Sequence, residues 1–223
     1  EVEQNQRVEK EAVLWKTREF KVFGKVDLIY YPSDFEVEEI LKVEPSLPVK
    51  SIPLYCFDNF ERVKVDFKDR KDLLFIGSFN HPPNLDGLMW FIKEVYPMVI
   101  SALEEVRLRI VGSNMPRYIK ELASKNIVIE GYMSDDDLMV LYEKVRISVV
   151  PLRYGAGIKG KVLEALRKGV PVVTTDIGAE GIPERENCLM VENEADSFAK
   201  KIINVYEREA ELALYSEKGS AVI

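Results

Sequence analysis

A doubly wound α/β sheet of parallel strands is the fold class that this sequence predicts, and three observations carry the prediction. From Leu73 to Val191, apolar runs of strand length alternate with segments that repeat apolar residues at helical spacing. Within that stretch, residues 150–176 (VPLRYGAGIKGKVLEALRKGVPVVTTD) fit strand, glycine turn, helix and strand into a space so short that the two strands must run parallel, joined by the helix. Finally, 223 residues with 47% hydrophobic content suffice for one sizeable α/β domain with its core, plus an extension.

The elements follow in chain order. Residues 1–23 are charge-rich with Val13, Leu14, Phe20 and Phe23 interspersed, an amphipathic helix closed by Gly24 that must pack on something. Asp27–Tyr31 is a strand, Pro32-Ser33-Asp34 starts a helix over Phe35–Val43, and Val49–Phe57 is extended. The charged stretch Glu61–Asp72 is the expected domain boundary, dividing the chain into 1–60 and 61–223. Beyond it come strand 73–78, helix 84–104, strand 106–112, helix 116–125, strand 127–131 and helix 135–145. Strand 147–152, helix 159–168, strand 171–175, a short strand 188–191 and a helix from Ala195 complete the alternation. There is no internal repeat and no low-complexity segment.

The glycine turn in 150–176 carries the chemistry. Glycines let backbone N–H groups approach an anion closely, and the N-terminus of the next helix adds a partial positive charge. Gly155 and Gly157 sit in the turn, while Lys159 and Lys161 add full charges. Lys161 and Glu164 are three apart on the helix and share a face, which sets a cation for phosphate beside an acceptor for hydroxyl groups. Phosphate next to ribose suits that pair, and the ligand side of such a sheet lies at the carboxyl ends of its strands. The same spacing also suits an ordinary surface ion pair beside a glycine that merely turns the chain, and the local pattern leaves both open.

Other residues read more plainly. Asp135-Asp136-Asp137 follows Ser134 and precedes a helical apolar pattern, which is an N-cap with an acidic first turn rather than a metal motif. His81, the sole histidine, is a loop residue ordered by Pro82 and Pro83 or a contact of a cleft with Asn80. Met89, Trp90, Phe91 and Tyr96 belong to the core. Tyr154 could pack on a base or a sugar, or be an exposed loop aromatic.

Composition narrows the partners. A net charge of −7 and a pI near 5.1 argue against a general nucleic-acid role, since a polyanion needs a basic face. Cys56 and Cys188 are far apart and lack metal spacing, which suits reduced thiols. No stretch carries a secretory signal or spans a bilayer.

The longer pattern GAGIKGKVLEAL-x-x-GVPVVTT-x-IGAEGI resembles the glycosyl transferase group 1 family, retaining sugar transferases of the GT-B architecture. LLFIGSFNHPPNLDGLMWF (Leu73–Phe91) is similar to the first strand, loop and helix of that family's Rossmann-like donor domain. RLRIVGSNMP (Arg107–Pro116) and NIVIEGYMSDDDLMVLY (Asn126–Tyr142) resemble its second and third strands with their sequels. The resemblance covers roughly residues 20–220.

What the resemblance implies falls residue by residue. Glu164 matches the second of two family glutamates and would accept from the ribose hydroxyls of a nucleotide sugar. The first family glutamate lies eight positions earlier, where this chain has Ala156, so the contact to the donor sugar has no owner. The family's first loop usually carries basic residues, whereas Phe79–Asn84 has none, which leaves Lys159, Lys161 and Arg153, with Gly155 and Gly157, for the donor diphosphate. Gly178, Ala179, Glu180 and Gly181 match the loop near the donor sugar and distal phosphate, and Glu180 could stand in for the absent glutamate. His81, Asn80 and Tyr154 would be cleft contacts, and no catalytic residue, metal ligand or cofactor is assigned beyond the nucleotide-sugar substrate.

The implied function is transfer of a sugar from a nucleotide-diphosphate donor to a saccharide, a lipid-linked sugar or a polysaccharide precursor, in the cytoplasm or at the inner face of its membrane. Residues 1–60 read as the end of an acceptor domain whose beginning is missing, and the C-terminus as lacking the helix that crosses back. The expectation is therefore a fragment carrying the donor half. A non-catalytic nucleotide- or sugar-phosphate-binding module is the alternative. An isomerase of the same architecture fits less well, and a dinucleotide oxidoreductase is disfavoured because Gly77 is followed by Ser78-Phe79-Asn80 rather than G-x-G-x-x-G.

Overall fold

The computed structural model describes residues 2–52 and 65–223, with side chains from Lys10 onward, and divides into two units, Glu1–Cys56 and Phe57–Ile223. Cys56, the end of the expected run Val49–Phe57 and residues 61–64 of the expected boundary lie outside the described residues.

In the first unit, α1 (Val2–Phe23) is followed by β1 (Ile29–Tyr31), α2 (Asp34–Val43) and β2 (Val49–Ser51). Ser33 starts α2 as a capping box: its hydroxyl accepts from the Glu36 amide at 3.2 Å and donates to the Glu36 carboxylate at 2.9 Å. β1 and β2 pair in parallel, Ile29 opposite Val49, over a small core of Phe23, Ile29, Ile40 and Val49. Phe20 and Phe23 anchor the end of α1 there, whereas Val13, Leu14 and Trp15 are exposed.

The second unit opens with β3 (Lys71–Ile76) and α3 (Pro82–Trp90), which runs through a π-helical turn, Phe91–Val95, into α4 (Tyr96–Ala102). The sequence predicts one helix over 84–104. It starts two residues earlier because Pro82 and Pro83 suit the first turn, where no amide bond is lost. The turn widens just before Pro97, which cannot donate to Lys93; the Tyr96 amide reaches back to the Phe91 carbonyl instead.

β4 (Leu108–Val111), α5 (Arg117–Lys120), β5 (Ile127–Gly131), α6 (Asp135–Tyr142) and β6 (Val145–Val150) come next. α5 is much shorter than the expected 116–125, its end tightened by a Leu122-to-Ile119 backbone bond. Ser134 caps α6 by accepting from the Asp137 amide at 3.2 Å, as its acidic first turn predicts. The chain continues through α7 (Gly160–Arg167), β7 (Val172–Thr174), α8 (Arg185–Cys188), β8 (Leu189–Val191), α9 (Ala195–Tyr206) and α10 (Glu209–Val222). Sequence patterning gives no sign of α8, and it joins α9 to α10. The break coincides with a distant side chain: Arg146 donates to the Tyr206 carbonyl at 2.5 Å and satisfies the end of α9, where the Arg208 amide also turns back to the Val205 carbonyl.

All six strands of this unit are parallel, in the order β5-β4-β3-β6-β7-β8. Counted from β3, that is the doubly wound order 3-2-1-4-5-6, so the winding direction reverses between β3 and β6. Alternate strand residues feed two cores: Leu73, Phe75, Ile147 and Val149 pack with α3, α4 and α9, while Leu74 and Val150 pack with α6 and α7. The reversal leaves a crevice at the carboxyl ends of β3 and β6, because their following helices depart to opposite faces.

Candidate functional site

Two loops flank that reversal point, residues 77–81 after β3 and residues 151–159 after β6. Gly77 and Gly87 set how closely they approach. A Cβ on Gly77 would stand 2.8 Å from the Asn84 side chain, and one on Gly87 would stand 2.5 Å from the Pro151 carbonyl. Asn84, buried in the first turn of α3, is fixed by its amide bond to His81 O and by its Nδ2 donating to Ser78 O at 2.8 Å. Its remaining polar atom, Oδ1, accepts from Lys161 Nζ at 2.6 Å. One hydrogen bond therefore bridges the two sides of the reversal.

Lys161 is the electrostatic centre. Its ammonium lies 5.5 Å from the centre of the Phe75 ring and is held by a neutral amide. Among the described residues no carboxylate pairs with it. Burial, with the neighbouring Lys159 adding to it, pulls its pKa down to about 8. A partly desolvated cation without a counter-ion is costly, and an anion entering the crevice would relieve that cost.

The glycine turn is held from both sides. Gly155 and Gly157 have φ of +122° and +78°, conformations that side chains resist. Gly157 N donates to Glu180 Oε1 at 2.5 Å, and Lys159 Nζ donates to Gly157 O. Lys159 is also the N-cap of α7 but gives no side-chain cap; the Val162 amide bonds back to the Lys159 carbonyl at 2.8 Å, which leaves the amides of Gly160 and Lys161 at the helix start. Across the turn after β7, the Gly178 amide bonds Thr175 Oγ1 and the Ala179 amide bonds Thr175 O. Glu180 and Gly181 (φ +72°) are thus the positions left to offer amides.

Glu164 stands one turn further along α7, half-buried, facing α6. Burial raises its pKa above the usual carboxylate range; Asp135 adds to the rise, while Lys168, Tyr142 and Arg167 oppose it. Lys161 reaches Asn84 of α3, whereas the neighbours of Glu164 beyond its own helix, Asp135 and Tyr142, are on α6.

Arg153, the third candidate for the diphosphate, already has a carboxylate partner. Its guanidinium forks onto Asp86 of α3, Nε donating to Oδ2 at 2.9 Å and Nη2 to Oδ1, so the pair is close to neutral. Asn80 and His81 are exposed, and His81 begins α3 without a side-chain cap. Tyr154 is 47% exposed. Sequence reasoning missed Asn84, Phe75 and Asp86. The available signal for Asn84 was a lone amide in the otherwise apolar first turn PPNL.

The family description "Glycosyl transferases group 1" matches residues 70–208. This chain belongs to that family. The group 1 match spans the strands, both glycine turns and α7, so every residue of the crevice just described falls inside it. A relative from Klebsiella pneumoniae, an uncharacterized 44.6 kDa protein in the cps region, is 35% identical over 141 residues, covering 60% of this chain and 36% of that protein. The group 1 chain also superposes on TarM with a TM-score of 0.76 at 17% identity, covering 93% of this chain and 42% of TarM. It superposes on WaaG, a glycosyltransferase involved in lipopolysaccharide biosynthesis, with a TM-score of 0.63 at 17% identity, over 86% of this chain and 56% of WaaG. Likeness at that identity establishes the fold, a Rossmann-like domain of the GT-B kind. The chain spans about a third to a half of the length of these proteins. No helix among the described residues is long and apolar enough to cross a membrane.

Proposed function

We propose that this chain carries the donor-binding half of a retaining glycosyltransferase, one that moves a sugar from a nucleoside-diphosphate donor to a saccharide or lipid-linked acceptor. The observation that carries the reading is Lys161, a partly buried ammonium at the strand reversal with a neutral amide for a partner and, among the described residues, no carboxylate to balance it. A diphosphate supplies the missing charge. Lys161, Lys159 and the open amides of α7 receive it, and the same groups stabilise the charge that grows on the diphosphate as the anomeric C–O bond breaks. Glu164 accepts from the ribose hydroxyls. Glu180, already reaching the glycine turn, and Gly181 face the transferred sugar, with Tyr154, Asn80 and His81 at the rim. No cofactor beyond the donor nucleotide enters this scheme.

Family membership supports the reaction class and the retained stereochemistry. A solved pneumococcal O-GlcNAc transferase, GtfA, of the same fold (TM-score 0.68, 17% identity) holds UDP and GlcNAc, which supports the ligand class. We assign residues 61–223 to the donor domain and residues 1–60 to the end of the acceptor side, with the acceptor groups supplied by the rest of a longer protein at the cytoplasmic side of a membrane. This chain by itself then binds nucleotide weakly and transfers little. Titration calorimetry with UDP, GDP and ADP tests the site: one of them binds, and Lys161→Met abolishes the heat. No heat with any of the three at ligand concentrations high enough to fill a weak site, against a folded chain, refutes it.

Ala156, where the family carries a glutamate, favours a second reading, a nucleotide-sugar-binding module without turnover. Release of free nucleotide from a donor panel by the longer protein separates the two.

A further inference from the structure

Tyr142, the last residue of α6, is buried to 1% exposure, yet its hydroxyl makes no hydrogen bond. Leaving a buried hydroxyl unpaired costs free energy that a phenylalanine would avoid. The residue is not loosely held. Arg70 donates to its backbone carbonyl at 2.8 Å, and its ring sits in the core with Val162, Leu163 and Leu166 of α7. Glu164 on α7 is the acceptor that neighbours this hydroxyl: beyond the effect of burial, the carboxylate raises the pKa of the phenol and the phenol lowers that of the carboxylate, although no hydrogen bond of good geometry joins them. The other charges facing Glu164 are Lys168 and Arg167 on its own helix and Asp135 at the start of α6. Lys168 and Arg167 can reach solvent, Lys168 is shared with Glu143, and Asp135 repels. Tyr142 is the one buried donor in the set.

From this placement we infer that Tyr142 is a positioning residue for nucleotide recognition: its hydroxyl closes on Glu164 and fixes one carboxylate oxygen while the other accepts from the ribose. The inference rests on Glu164 being the ribose acceptor. A carboxylate held by a buried donor cannot rotate away from the ligand, and its charged form is favoured at the moment it is desolvated by the bound nucleotide. The unpaired hydroxyl is the cost of that arrangement, as expected where function overrides local stability.

The test uses Tyr142→Phe, Glu164→Gln and the double variant in the full chain, with affinity for the nucleoside diphosphate measured from pH 5 to 8 and thermal unfolding measured in parallel. Tyr142→Phe unfolds at the same or a higher temperature, yet binds roughly three- to tenfold more weakly at pH 7. Its acid limb moves to higher pH, because a carboxylate that has lost a donor protonates sooner. In the Glu164→Gln background the tyrosine change has no further effect on affinity. A purely structural tyrosine would lower the unfolding temperature and leave the pH limb in place. If Glu164→Gln weakens binding while Tyr142→Phe matches the parent in affinity and limb, the positioning role is overturned and the ribose assignment stands. If Glu164→Gln binds as the parent does, both fall.

Discussion

The two ends of one parallel sheet treat positive charge in opposite ways. At the amino ends of β3, β4 and β6, arginines line a cavity of about 970 Å³, and their guanidinium groups are taken up by carboxylates and backbone carbonyls. Asp72 accepts from Arg107 Nη2 at 2.9 Å and from Arg109 Nε at 2.7 Å, and Arg109 also pairs with Glu130. Arg146 gives its protons to the carbonyls of Phe67, Arg70 and Tyr206. At the carboxyl ends, Lys161 meets a neutral amide and a second lysine. A saturated cation ties elements together and has nothing left to offer a ligand; an unsaturated one is a standing cost that a ligand can remove. Charge count alone would not separate the two ends, because both mix cations and carboxylates in nearly equal number.

Breaking the carboxyl end has the largest expected effect. Lys161→Met lowers nucleoside diphosphate affinity by about 2–3 kcal/mol, the value of a hydrogen bond to a charged group, read by calorimetry. Stability moves the other way. Folded Lys161 titrates near pH 8, whereas an unfolded lysine titrates near 10.4, so between these values the unfolded chain binds more protons. Stability of the parent therefore climbs with pH across that window, and the penalty is complete below it. The methionine variant loses this slope, and unfolding curves at pH 7 and pH 10 detect the loss. Parent affinity also declines above pH 8 as the ammonium deprotonates. A variant that binds normally would place the anion elsewhere.

Breaking the amino end is the converse experiment, with an effect of similar or slightly smaller size on the other observable. Asp72→Ala strips two guanidinium groups of their shared acceptor; Arg107 and Arg109 can still reach water, so the loss is about 2 kcal/mol rather than that of a fully buried pair. Asp72 also sits at φ +64°, where alanine fits no better. Urea unfolding gives the loss, and nucleotide affinity stays within about twofold of the parent by the distance between the ends. An affinity change as large as that of Lys161→Met would mean that the two ends are coupled.

The contrast was only half legible in the sequence. Alternation of strands and helices from Leu73 onward, and the turn holding Gly155 and Gly157, are local patterns, and both survive in the structure nearly where the pattern puts them. The strand order is not local, and neither is any contact that makes Lys161 unusual: Asn84 is 77 residues away and Phe75 lies on another strand. The same limit applies to the split of α9 from α10, which coincides with Arg146 reaching Tyr206 from sixty residues upstream. The π-helical turn was recoverable in principle, since Pro97 stands in plain view within an apolar helix. Sequence spacing treated Lys159, Lys161 and Arg153 alike as cations near the glycines; what separates them is the partner each has found.

Arg153 gives the smallest and sharpest test of that distinction, because it lies at the carboxyl end but is wired like an arginine of the amino end. Its fork onto Asp86 is half exposed, so the pair contributes about 0.5 kcal/mol to stability and presents little net charge to the crevice. Arg153→Ala is expected to shift unfolding slightly and nucleotide affinity by less than about threefold, well under the effect of Lys161→Met. Asp86→Asn sharpens the comparison further. It releases the guanidinium from its carboxylate, and if partnering rather than position decides which cation serves the anion, the released Arg153 tightens diphosphate binding severalfold at low salt and loses that gain at high salt. A large affinity loss in Arg153→Ala with no gain in Asp86→Asn would show instead that the ligand outcompetes Asp86, and that position is the stronger determinant.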